Sequence, residues 1–161
     1  MQINEWYNDK ASYFTFDGHQ YFYKTAGDKG AYLLLVHGFP TSSWDWHKIW
    51  QELSQKYRLI APDMLGFGYS DKPNGLNYTI NHQARMHEAL LKHLGISQCH
   101  ILAHDYGDTV TQEMLSAFQE RKSANNQALD YLSICFLNGG LFTEMHRAVL
   151  TQKILHSPIV F

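Results

Sequence analysis

Cysteine is scarce in this chain of 161 residues, with only Cys99 and Cys135. Two cysteines in or beside apolar, strand-like runs cannot build a disulfide framework, so both are expected as buried, reduced thiols of a cytoplasmic protein. A dominant charge is absent too. The formal net charge is −2 and the Lys and Arg residues are scattered, which argues against nucleic acid as a partner. No apolar run reaches the length of a membrane span. The N-terminus, Met1 to Trp6, has neither the basic nor the apolar region of a signal peptide. The ten histidines form no triad with cysteines or carboxylates at ligand spacing, so no metal is expected. Gly66-Phe67-Gly68-Tyr69-Ser70 lacks the third glycine of a dinucleotide loop and opens no helix, so no cofactor is expected. Internal repeats and low-complexity segments are missing as well.

What is present fits one globular domain: 45% of the residues are apolar. Two aromatic-rich runs, 12–16 and 19–24, flank Asp17-Gly18 and predict a hairpin. Ala31 to Val36 is an unbroken apolar run, the pattern of a strand buried on both faces. The loop His37-Gly38-Phe39-Pro40 follows, then capping candidates Thr41 to Ser43. Trp46, Ile49, Trp50 and Leu53 recur at helical spacing. A strand over 57–61, a long turn-rich loop over 62–73, and a helix capped by Thr79 and ended by Gly95 come next. Cys99 to Ala103 predicts a strand. Val110, Met114, Leu115 and Phe118 predict a helix after it, and residues 120–130 read as a polar loop. Tyr131 to Leu137 predicts a further strand, and Glu144 to Leu155 has helical periodicity. Strands alternating with helices imply a mostly parallel, doubly wound sheet behind an antiparallel hairpin. Ligands of such sheets sit beyond the carboxyl ends of the strands, which gathers His37–Pro40, Asp63–Ser70, Asp105 and Asn138 around one mouth.

The centre of that mouth is Ile101-Leu102-Ala103-His104-Asp105-Tyr106-Gly107-Asp108. Small residues, Ala103 and Gly107, stand two positions either side of Asp105, as a sharp strand-to-helix elbow requires. A carboxylate at the apex is already charged at neutral pH and needs no base to attack. On an amide or ester it would form an anhydride. On saturated carbon it displaces an epoxide oxygen or a halide and leaves an alkyl ester. Hydrolysis of that ester needs an oxyanion hole, with the backbone N–H groups of Phe39 and Tyr106 as the expected donors. The competing reading of Asp105 is a helix N-cap. The paired small residues and the upstream loop favour the nucleophile, and Asp108 is the expected ordinary first-turn acid. His37 is expected to bond loop backbone and aim the Phe39 N–H rather than act as a base. Gly38 permits the close turn, Pro40 stiffens it, and Gly107 lets the helix pack. His104 leaves the other side of the strand and is expected to pack. Ser70, flanked by Tyr69 and Asp71, is a poor nucleophile candidate. The side chains of Phe39 and Tyr106 should line an apolar substrate pocket.

His-Gly-Phe-Pro at 37–40, Asp63-x-x-Gly-x-Gly-x-Ser70 and His-Asp-Tyr-Gly at 104–107 together resemble the α/β-hydrolase fold superfamily. The similarity is greatest to its epoxide hydrolase and haloalkane dehalogenase branch, whose elbow residue is Asp. Residues 38–46, 66–73 and 138–142 resemble the mesoderm-specific-transcript subgroup. The resemblance implies Asp105 as nucleophile, Phe39 and Tyr106 N–H as the oxyanion hole, and a small apolar electrophilic substrate. It also implies a cap inserted at about residue 141, so that 1–140 is the N-terminal part of the hydrolase core and 141–161 the start of the cap. Dehalogenases of the branch carry Trp after the nucleophile, whereas this chain has Tyr106, which points toward epoxides. The family's catalytic His, and usually its acid, follow later strands. The chain is therefore expected to be the N-terminal portion of a larger hydrolase, truncated after the sixth strand, and not to turn over by itself. A haloalkane dehalogenase-like hydrolase, or a non-catalytic binding protein on the same fold, is the alternative.

Overall fold

A computed structural model describes residues 2–8, 11–124 and 129–139. Six strands form one sheet in the order β1-β2-β4-β3-β5-β6. β1 (Ala11–Phe16) and β2 (His19–Ala26) pair antiparallel, with Phe16 opposite His19. Asp17 (φ 52°) and Gly18 (φ 79°) make the two-residue turn between them. Positive φ at both positions matches the twist of a hairpin, and Asp-Gly is a favoured pair there. β4 (Arg58–Pro62) lies antiparallel to β2 and parallel to β3 (Tyr32–Val36), while β5 (Gln98–His104) and β6 (Asp130–Leu137) continue the parallel part.

The unbroken apolar run of β3 splits by alternation. Leu34 and Val36 enter the core beneath α3 (Ile80–His93) and α4 (Tyr106–Ser123), with Leu90, Leu91, Val110 and Met114. Leu33 and Leu35 enter the opposite core, with Trp6, Trp46 and Trp50. Side chains of successive strand residues point to opposite faces, so an all-apolar strand is what a sheet covered on both faces needs. Thr79 caps α3, its Oγ1 accepting the His82 N–H at 3.1 Å, and Gly95 at φ 69° ends it.

The structure departs from the sequence expectations in four places. A short helix α1 (Ile3–Asn8) packs Trp6 and Tyr7 into the tryptophan-rich core. At six residues it is too short to show a helical period. The segment after His37–Pro40 is only a 3-10 turn (Ser43–Trp46) and a five-residue α2 (Trp50–Ser54). α4 runs on to Ser123, where a loop was expected from residue 120. Its last turn is polar because it faces solvent, and Arg121 anchors it through a bidentate pair with Glu88 of α3 at 2.6 and 3.1 Å. Finally, Cys135 is exposed, not buried. Among the described residues β6 pairs only with β5, and Leu132 and Leu137 are 45% and 37% exposed. Cys99 is buried as expected, and burial pushes its thiol up to about 12. The helix expected over 144–155 and the start of the cap lie outside the described residues. Among those residues, no helix is long and apolar enough to cross a membrane.

His87 of α3 is fully buried. Its Nδ1 bonds Gln83 O at 2.8 Å, and Nε2 has no hydrogen-bond partner among the described residues. Burial lowers its pKa from 6.5 to about 4. Below about 6.5 the unfolded chain takes up a proton that the folded chain refuses until about 4, so acidification favours unfolding. At ~1.4 kcal/mol per unit, up to about 3 kcal/mol is lost between those two values. His87→Leu should remove that part of the acid limb, while buried His37, shifted in the same direction, keeps a remainder. Chemical denaturation at pH 7 and pH 4.5 measures it; equal pH dependence in both proteins would contradict the assignment.

Candidate active site

Asp105 stands between the end of β5 and the first residue of α4, at φ 54° and ψ −116°. A non-glycine residue rarely adopts positive φ, and such strain persists only where the surroundings hold it. Here they do. The Asp105 N–H donates to Leu137 O at the end of β6 (3.0 Å), and the Asp105 carbonyl accepts the Asp108 N–H (3.0 Å). Gly107 touches the carbonyl oxygens of Val36 and His37 so closely that no Cβ fits. Gly38 is as constrained, since a Cβ there would lie 2.7 Å from the Asp105 Cβ.

The carboxylate does not cap its own helix. Instead Oδ1 accepts the Phe39 N–H at 2.9 Å, across the gap between the two loops. Tyr106 is the first residue of α4, so its N–H has no acceptor within the helix. Of the two N–H groups named from the sequence, that of Phe39 bonds the carboxylate, and that of Tyr106 opens the helix directly after it.

The loop bearing Phe39 is held from behind. His37 is fully buried. Its Nε2 accepts the Met64 N–H at 3.0 Å, so Nδ1 carries the ring proton and donates it to Gly38 O at 2.8 Å. Burial lowers its pKa against the pull of nearby Asp63, so the ring stays neutral and both nitrogens are engaged. Thr41 Oγ1 donates to Asp45 Oδ2 at 2.5 Å, and Ser42 caps the 3-10 turn.

Two supporting residues carried no sequence expectation of their own. The buried Asp63 carboxylate accepts the Ser43 N–H (2.7 Å) and the Tyr69 N–H (2.8 Å), tying the loop after β3 to the loop after β4. Its one legible signal was the spacing to Gly66 and Gly68; Gly68 has no room for a Cβ because the Asp63 carboxylate fills that space. Gln83 of α3 spans the backbone of Leu65, accepting its N–H at 3.0 Å and donating to its carbonyl at 2.9 Å. It read as an ordinary polar helix residue. Ser70 is buried and structural: its hydroxyl donates to Asp63 O (2.6 Å) and accepts the Phe22 N–H (3.0 Å).

His104 lies over the 3-10 turn, edge-on to Trp46, with Nδ1 3.7 Å from Asp45 Oδ2. Asp108 is not the ordinary first-turn acid that was expected. It is fully buried, and its Oδ1 accepts the Leu137 N–H at 3.4 Å. Burial raises its pKa above the usual carboxylate range, against the opposing pull of the Leu137 and Gly139 N–H groups. The apolar pairing of β6 against β5 brings Leu137 over this turn, which no local pattern announces.

Beside the elbow opens a cleft of ≈ 420 Å³, lined by Phe39, Leu65, Phe67, Lys72, Tyr78 and Tyr106 among others. The Phe67 ring stands 6.1 Å from Phe39 and 6.2 Å from Tyr106. Burial raises the Tyr106 phenol above its ordinary pKa, so it stays protonated at neutral pH. Phe39 and Tyr106 line this cleft; Leu65, Phe67 and Tyr78 were not anticipated.

Comparison with known proteins adds the relatives. The chain is 45% identical over 159 residues to the mesoderm-specific transcript homolog protein of Bos taurus, across 95% of this chain and 46% of that protein. It is 37% identical over 95 residues to epoxide hydrolase 3 of Xenopus tropicalis, across 58% of this chain and 26% of that protein. Among solved structures, an alpha/beta hydrolase fold protein from Burkholderia ambifaria superposes with a TM-score of 0.75 at 30% identity, covering 92% of this chain and 51% of that one. The chain thus spans about half the length of the relatives it matches over most of its own. The alpha/beta hydrolase fold model matches residues 32–124, the stretch from β3 through the elbow helix, and the chain belongs to that family.

Proposed function

We propose that Asp105 is the nucleophile of an epoxide hydrolase-like enzyme and forms an alkyl ester with its substrate. One observation carries the reading: a carboxylate at the apex of a positive-φ elbow whose Oδ1 already accepts the Phe39 N–H at 2.9 Å. That bond assigns the two oxygens different roles. Oδ2 attacks a saturated carbon of the epoxide; the C–O bond of the ring breaks, and the ring oxygen leaves as an alkoxide that takes up a proton. Oδ1 becomes the carbonyl oxygen of the ester. When water then adds to Cγ, negative charge develops on Oδ1, where the Phe39 N–H already donates and the Tyr106 N–H is the second donor of this reading. Stabilising charge at the place where it develops is the largest single contribution in such sites. Tyr106 in place of the dehalogenases' Trp weighs against a halide leaving group.

The second half of the cycle needs a base to activate that water. Among the described residues none is in position. Both His37 nitrogens are engaged in backbone hydrogen bonds, and His104 Nδ1 faces Asp45. The chain as given should therefore acquire one adduct and retain it. Incubation with styrene oxide should add a single epoxide mass to the intact protein, mapped to Asp105, with diol release not exceeding one equivalent. Sustained diol release would sink this part of the reading.

Asp105→Asn keeps an oxygen for the Phe39 N–H but loses the anionic attacker, and should show no adduct by intact mass; undiminished labelling would move the nucleophile elsewhere. Gly38→Ala places a methyl 2.7 Å from the Asp105 Cβ and should slow adduct formation at least tenfold. An unchanged rate would mean that the loop does not set the attacking geometry. If wild-type protein takes no adduct from any epoxide, a non-catalytic binding role on the same fold gains the field.

A further inference from the structure

The cleft beside the elbow has one charged lining group, Lys72. Its ammonium donates to Gly68 O at 2.6 Å and to Ser70 O at 3.0 Å. An ammonium has three N–H donors, so one remains without a protein acceptor. No carboxylate lies within ion-pair distance of it among the described residues. The neighbouring Asp71 faces away, its Oδ2 accepting the Gln20 N–H of β2 at 2.8 Å. A positive charge thus stands in a cleft whose other lining residues are uncharged and mostly aromatic or aliphatic. Phe39 and Tyr106 line the same cleft and adjoin Asp105.

We infer that this cleft selects an electrophile with an apolar, aryl-sized body and a carboxylate at the end remote from the reacting carbon, held by Lys72. The inference rests on Asp105 being the nucleophile and deepens it. The apolar body packs on Phe67 and Tyr78. The carboxylate takes the free N–H of Lys72, which offsets its repulsion from Asp105. Because Lys72 is solvent-exposed, its contribution is that of a surface ion pair and is weakened by salt.

The test compares two epoxides on the 161-residue chain by intact-mass kinetics: phenyl glycidyl ether, which is neutral, and 4-(glycidyloxy)phenylacetate, which is anionic. At low ionic strength the ratio of anionic to neutral labelling rates should fall about threefold to fivefold in Lys72→Gln, recover in Lys72→Arg, and collapse in wild type at about 1 M salt. The neutral probe reports any disturbance of the 68–72 loop, so a change in the ratio reads charge alone. A ratio unchanged in Lys72→Gln overturns the inference while leaving Asp105 as nucleophile. If neither probe labels the protein, calorimetry with 4-phenylbutyrate and 4-phenylbutanol decides separately. Tighter binding of the carboxylate in wild type than in Lys72→Gln upholds the Lys72 assignment without the chemistry. Equal binding of both ligands overturns it.

Discussion

A single hydrogen bond between two loops, Phe39 N–H to Asp105 Oδ1 at 2.9 Å, is the contact toward which the surrounding structure is arranged. Neither loop can make it alone. Asp105 must hold a backbone conformation that L-residues avoid, at φ 54°. Phe39 must present its N–H outward from a loop whose carbonyls and side chains are tied behind it. Glycine is required on both sides of the contact for the same reason. At Gly38 and Gly107 any Cβ would stand in the space through which the loops approach. The sheet supplies the rest, because parallel β3 and β5 end side by side, Val36 opposite Ala103, and so deliver both loops to the same edge.

Behind that contact lies a buried polar network, and burial makes its completeness matter. An unpaired polar group inside a protein costs about 1–3 kcal/mol. Asp63 is a buried carboxylate, an expensive group to place there, yet each of its oxygens accepts a backbone N–H from a different loop. His37 resolves the same problem by staying neutral, and its two nitrogens join Gly38 to Met64. Gln83 satisfies both backbone groups of Leu65 with one amide. The loops after β3 and β4 are therefore cross-linked to each other, and the second to α3, by side chains that bond backbone groups. This holds the Phe39 N–H in place without relying on the loops' own propensities.

The legibility of these parts in the sequence follows from their physical range. The hairpin, the strands and the two long helices were readable because alternation, helical spacing, Asp-Gly, Thr79 and Gly95 are local signals. The elbow was readable because steric demand confines small residues to fixed offsets from Asp105. What escaped notice depends on distant partners. Gln83 is a polar residue in a helix until Leu65, 18 positions away, is known to lie under it. Asp108 looks like any acid in a first helical turn until β6 brings Leu137 across it. Cys135 sits in an apolar run, and its exposure follows from β6 being the last strand of the sheet among the described residues. The α4 terminus extends past its apolar pattern because Arg121 is fastened to Glu88, 33 residues earlier.

The two acids of the elbow show how environment divides roles between identical groups. Asp105 and Asp108 lie within one turn, and the charge of Asp105 is one of the influences that disfavour ionisation of Asp108. Asp108 is sealed beneath the end of β6, and burial pushes its carboxyl toward the neutral form. Asp105 is left partly open to solvent with an N–H donor on Oδ1. Two carboxylates three positions apart thus sit in opposite environments, one closed over by β6 and one held at the surface by a backbone donor. A serine at the apex would have needed a base to become reactive. An aspartate needs only that its charge be kept and its angle fixed. In the mechanism proposed above, the Phe39 bond supplies the second of those conditions.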